Sequence, residues 1–175
     1  MFVELIAVAI AGLAMAGILL ALGRVAGATL PRWTVPAGAG LAMLAMTIAS
    51  EYGWYPRNRA VLPDGFEVIQ TVEKRSFYQP WTYAAPYVHR FAALDRASVQ
   101  THPALPGQHL ARLYFHGRWS PVRAMTVAVD CPGRRRAALE EGAGFDAEGR
   151  IEGARWIAAA AEDPVLDALC RQDGA

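Results

Sequence analysis

Two long apolar runs, nearly free of charge, open the chain, and alternation of apolar and polar positions takes over after residue 65. The first run, FVELIAVAIAGLAMAGILLALG at residues 2–23, contains a single charge, Glu4. As a helix it reaches about 33 Å, enough for a hydrocarbon core of roughly 30 Å. Its start carries no Lys or Arg and its apolar stretch exceeds a usual h-region, so it reads as a span rather than a cleaved signal peptide. Pro31 and Pro36 bracket a short connection, PRWTVP, and a second uncharged run continues to Ser50. Trp33 at one end of that run, and Tyr52, Trp54 and Tyr55 at the other, suit the aromatic belts of a membrane span. The pattern predicts a two-helix transmembrane hairpin over residues 1–55, with helices at about 2–23 and 33–52.

Small residues recur on these helices. Gly38, Ala42, Ala45 and Ala49 follow an i, i+4, i+7, i+11 order, and Gly12 and Ala16 form a small-xxx-small pair. Helices in lipid associate through close packing, so such stripes serve either contact between the two helices or docking on a larger membrane complex.

From residue 56 to 175 the pattern is that of an extracytoplasmic α+β domain. Phe66–Val72 follows a PDG turn and has strand character. Pro86–Leu94 is a second strand candidate, His109–Trp119 and residues 122–130 alternate with a period of two, and RRRAAL follows a CPG turn as a fifth strand. THPALPGQ, with two prolines and a glycine, reads as an exposed connection. Near the end the pattern becomes helical: Asp163 is a natural N-cap, Pro164 suits N1, and Val165, Leu166 and Leu169 form an apolar stripe. The expected fold is thus a transmembrane hairpin plus a small α+β domain, an antiparallel sheet finished by a C-terminal helix.

Composition sharpens the division. Of the charged side chains, only Glu4, Arg24 and Arg32 lie in the first fifty residues. The net charge of +1 gives no electrostatic reason for a nucleic-acid partner. Basic residues fall on both sides of the second run, at Arg24 and Arg32 before it and Arg57 and Arg59 after it, so they do not orient the hairpin alone. The chain has two cysteines, Cys131 and Cys170, neither in a C-x-x-C nor beside a histidine. Two cysteines able to pair suit an oxidising compartment. This favours a multi-pass protein of a bacterial inner membrane, with its N-terminus and its C-terminal domain both periplasmic. A Cys131–Cys170 disulfide would pin the last helix to the sheet; two buried free thiols or a redox pair are the competing readings.

The order FAALDRASV, LARLYFHGRW, VAVDC, RRRAAL, FDAEG, Trp156 and a last helix ending in Cys170 resembles the surface-adhesin protein E-like domain of bacterial envelopes. The resemblance covers about residues 66–170. It implies a small antiparallel sheet with a helix, a disulfide closed by the final cysteine, and an extracytoplasmic, non-catalytic role. A membrane hairpin stands where that family has a lipoprotein or secretory signal.

Chemistry is sparse. His89, His102, His109 and His116 show no metal-ligand spacing, so no metal is expected. Glu140 and Glu141 read as a solvated edge, and Asp146 and Glu148 as turn residues beside Gly149. No nucleophile elbow, Walker A or dinucleotide fingerprint occurs, and no cofactor or enzymatic activity is expected. The run Arg134-Arg135-Arg136, with Arg118 and Arg123, is either a charged solvent face or a patch for anionic lipid or an acidic partner. Phe77, Tyr78, Trp81, Tyr83 and Tyr87 crowd a proline-broken segment, which favours recognition over complete burial. Together with Gly38, Ala42, Ala45 and Ala49 they are the candidate partner contacts. The expected function is an accessory or assembly subunit of a larger membrane complex, in contact with membrane lipids. The alternative is a free-standing envelope module that binds lipid, peptide or a small ligand.

Overall fold

Among the described residues ten elements follow one another, and the chain falls into two compact units, residues 1–57 and 58–175. The computed structural model describes residues 2–27, 29–139, 146, 150–151 and 154–171. Glu140, Glu141, Glu148 and Gly149, read above as edge and turn residues, lie outside the described residues.

The first unit holds helices α1 (Phe2–Val25) and α2 (Thr34–Ala60). Leu5, Ile10, Leu13 and Leu20 of α1 are exposed, an apolar surface that water does not support. Among the described residues one helix, over Val3–Val25, is long and apolar enough to cross a membrane. This overturns the expected two-span transmembrane hairpin. The reason is composition: α2 runs on to Ala60, and its last turns bring in Glu51, Pro56, Arg57 and Arg59. Its first turns dilute the apolar run with Thr34, Pro36 and two glycines. The two helices nevertheless touch. A Cβ at Gly12 would come within 2.8 Å of Met43, and one at Gly38 within 2.4 Å of Leu19, so both glycines permit the close approach. The Ser50 hydroxyl donates to Glu4 Oε1 at 3.1 Å, which satisfies an acid inside an otherwise apolar helix.

The second unit is a curled six-stranded antiparallel sheet in the order β1-β2-β3-β4-β5-β6. Its strands are β1 (Phe66–Lys74), β2 (Tyr87–His102), β3 (Leu105–Gly117), β4 (Ser120–Asp130), β5 (Arg135–Leu139) and β6 (Ile157–Ala158). A short helix α3 (Trp81–Ala84) precedes β2, and α4 (Pro164–Cys170) ends the unit. The expected small α+β domain is therefore corrected as well, to an extended meander with only seven residues in its last helix. The strands outgrow their predicted limits because β2 and β3 are one long ribbon. Thr101 and His102 pair with His109 and Leu105, which leaves Pro103 and Ala104 as the turn of the supposed loop THPALPGQ.

Irregularities curl the ribbon. Between Asp95 and Gln100 the register slips, because Asp95–Ser98 folds into a local turn. There Asp95 Oδ1 accepts from the Ala97 N–H at 3.0 Å and the Asp95 carbonyl accepts from the Ser98 hydroxyl at 2.7 Å. Such insertions bend the bulged strand and increase its twist. The bulge also aims Arg96 at α4, where it donates to the Ala168 carbonyl at 2.9 Å and pairs with Glu67.

Alternation gives the sheet two core faces. On one, Leu94, Leu113, Val127 and Val129 lie beneath Val165, Leu166 and Leu169 of α4. Each fully buried leucine there contributes about 1.5–3 kcal/mol. On the other, Leu110, Ala128, Ala137, Leu139 and Ile151 cluster, with Trp156 packed against them. Because α4 is about 10 Å long, it roofs only one end of its face.

Candidate functional site

Cys131 follows the last residue of β4 and Cys170 closes α4, and the two are joined, with their Cα atoms 5.6 Å apart. No free cysteine remains. The turn that positions Cys131 is tightly seated: its N–H donates to the Gly107 carbonyl at 2.9 Å. A Cβ on Gly107 would lie 2.8 Å from the Pro132 ring, so glycine is required there.

The three consecutive arginines each have a partner within this same closure. Arg134, at φ 45°, donates to the Ala161 carbonyl at 2.8 Å. Arg135 pairs with the buried Asp130 and lies over the Trp156 ring, 5.4 Å from its centroid. Arg136 Nη1 meets Asp163 Oδ2 at 3.0 Å. Asp163 is 3% exposed, and its other oxygen accepts from the N–H groups of Val165 and Leu166 at 3.0 and 3.4 Å. One carboxylate thus caps α4 and ties it to β5. Burial of an acid in this position is sustained by the cap bonds and the guanidinium together.

The aromatic segment divides. Tyr87 is buried in the sheet and Trp81 is half-buried, while Phe77, Tyr78 and Tyr83 are exposed, Phe77 to 93%. Phe77 and Tyr78 stand on a compact turn. Ser76 and Gln79 form an isolated bridge, and the buried Thr82 hydroxyl accepts from the Ser76 N–H at 2.9 Å while donating to the Gln79 carbonyl at 2.7 Å. The exposed rings are therefore presented by a fixed backbone. In the first unit, Gly38 and Ala42 are half-buried and Ala45 and Ala49 are exposed, so the small-residue stripe is only partly covered.

A further feature escaped the sequence reading. Beyond the reach of α4 its face of the sheet opens into two adjoining cavities. One, of about 540 Å³, lies towards the β3–β4 turn and is bordered by Val72, Arg90, Phe115, Ser120 and Arg123. The other, of about 310 Å³, adjoins α4 at Leu113, Met125, Ile157 and Val165. Both include Gln70, Ala92 and Phe115, so they form one groove. Register explains the arrangement: Arg90 faces Gly117, Ala92 faces Phe115, and Phe115 faces Arg123 across three neighbouring strands. A Cβ at Gly117 would sit 2.2 Å from Ser120 Oγ, so that hydroxyl lies directly beside the glycine. The signal was the short α4 beside long strands, legible only once the pairing is known.

The histidines do not converge. His89 Nδ1 lies 3.1 Å from the Val72 carbonyl, and His102 Nδ1 accepts from the Ala104 N–H at 3.2 Å. His109 is buried in β3. His116 stacks flat on Phe91, centroids 4.6 Å apart. Burial pushes its pKa below the ordinary histidine value, and a backbone hydrogen bond to Tyr114 opposes the shift. Among the described residues no three His, Cys, Asp or Glu side chains are grouped to hold a metal.

No protein-family model matches the chain, and no curated protein or solved structure matches it either.

Proposed function

We propose that this chain is a non-catalytic accessory or assembly subunit of a membrane protein complex, held at a bacterial inner membrane by α1 and carrying its sheet unit on the periplasmic side. The observation that carries the reading is the aromatic turn, where Phe77, Tyr78 and Tyr83 are exposed on a hydrogen-bonded backbone. Exposed rings on a fixed turn suit a partner surface, because little conformational entropy is lost on contact. The Cys131–Cys170 pair supports an oxidising compartment. The exposed apolar side chains of α1 support a lipid surround.

Gentle detergent extraction followed by native electrophoresis tests the reading. A larger species that is lost in a Phe77→Ala/Tyr78→Ala variant is expected. Migration as a lone chain of 18.9 kDa, detergent aside, sinks it. A second reading, an envelope module that binds a small ligand, is favoured by one observation, the groove left open beside α4.

A further inference from the structure

The groove has a polarity, and that polarity specifies a ligand. Its floor, from Ala92 and Phe115 to Leu113 and Met125, is mainly apolar, with Gln70 beside Ala92, and ends under Val165 of α4. Its mouth, at the β3–β4 turn, carries Arg90, Arg123 and the Ser120 hydroxyl. The third arginine at the groove, Arg136, is neutralised by Asp163, whereas Arg90 and Arg123 have no carboxylate partner among the described residues. Two uncompensated guanidinium groups flank one end of an apolar trough. The charge complementary to that arrangement is a single anionic head with an apolar tail.

We propose that the groove binds a free, single-chain aliphatic carboxylate, its head between Arg90 and Arg123 and its tail directed towards α4. This deepens the small-ligand reading and rests on it. Guanidinium groups suit a carboxylate because their N–H forks match its two oxygens. The floor from Gly117 to Leu113 is about 13 Å long at strand spacing, the reach of a medium chain rather than a full membrane acyl tail. The inner cavity, about 310 Å³, lies at the small end of ligand sites, roughly 300–1,000 Å³, so the tail end of the groove offers less room than its mouth, about 540 Å³.

The test uses the full chain in nanodiscs of zwitterionic lipid, titrated with carbonyl-labelled decanoate and read by carbon NMR, with empty nanodiscs as the blank. One saturable site per chain is expected. Arg90→Gln and Arg123→Gln, both at exposed positions, should each weaken it about tenfold. Ala138→Phe, which fills the tail end, should weaken decanoate while leaving acetate unchanged. Shortening the chain from decanoate to hexanoate should lose roughly twofold to fourfold per methylene. Acetate or inorganic phosphate binding as tightly as decanoate overturns the proposal, as does decanoate binding that survives both arginine substitutions. Preference for a two-chain anionic phospholipid in the disc also overturns it. Failure of the wider reading is separable: mass spectrometry of gently extracted native protein that finds a different bound small molecule removes only the carboxylate, whereas finding none, with decanoate silent, removes both.

Discussion

The two ends of the α4 face are built from the same strands and behave as opposites. At the closed end, Leu94, Leu113 and Val129 are sealed by Leu166 and Leu169, a disulfide and a capped helix. At the open end, Val72, Phe115 and Ile157 remain exposed, and two arginines stand without carboxylate partners among the described residues. Alternation supplies apolar side chains at both ends of the face, but coverage depends on the length of the helix. A seven-residue helix stabilises one end and leaves the other available for a ligand.

Breaking the closed end should have the largest effect. Cys131→Ser is expected to remove about 4 kcal/mol in the chain-entropy view of a disulfide with this loop length. The thermal midpoint of the full chain in detergent, with and without reductant, reads this; an unchanged midpoint would show that packing alone holds α4. Leu166→Ala should follow at about 3 kcal/mol, because it opens a cavity beneath the roof, measured by urea denaturation. Next comes Asp163→Ala, at about 1–2 kcal/mol for the lost cap. Asp163→Asn should retain most of the cap while releasing Arg136, so a loss equal to that of alanine would assign the effect to the ion pair instead. At the open end Ile157→Ser should stay within about 0.5 kcal/mol; a larger loss would mean that the groove is part of the core.

The smallest effect concerns pH. His116 has a folded pKa below the ordinary histidine value of about 6.5, so above that value both states are neutral and its contribution is fully present. As pH falls through 6.5 towards the lower folded value, the unfolded chain takes up the proton first and stability declines. His116→Gln should flatten this part of the pH dependence of the midpoint. An identical slope in the variant would place the acid sensitivity elsewhere.

Much of the strand pattern was legible. Leu113, Phe115, Met125, Val127 and Val129 announce themselves by alternation, and Asp163-Pro164 announces a helix start. The arginine run was not legible, because its partners Asp130, Asp163 and the Ala161 carbonyl come together only through β5 and the C-terminal segment. The aromatic cluster was legible as a group but not in its division, since the burial of Tyr87 and the exposure of Phe77 depend on where β2 begins. The second helix misled for a local reason. Its uncharged run invites a span, while the helix itself continues into Glu51, Arg57 and Arg59.

The amino-acid sequence by itself determined the apolar α1, the alternating strands, the capped last helix and the two cysteines available to pair. These depend on neighbours within a few residues, where side-chain periodicity and capping chemistry act directly. Tertiary structure alone decided which arginines are neutralised, how far the β2–β3 ribbon extends, and that one end of a sheet face stays uncovered. Those outcomes follow from register and from the length mismatch between strands and helix, which join residues far apart in the chain.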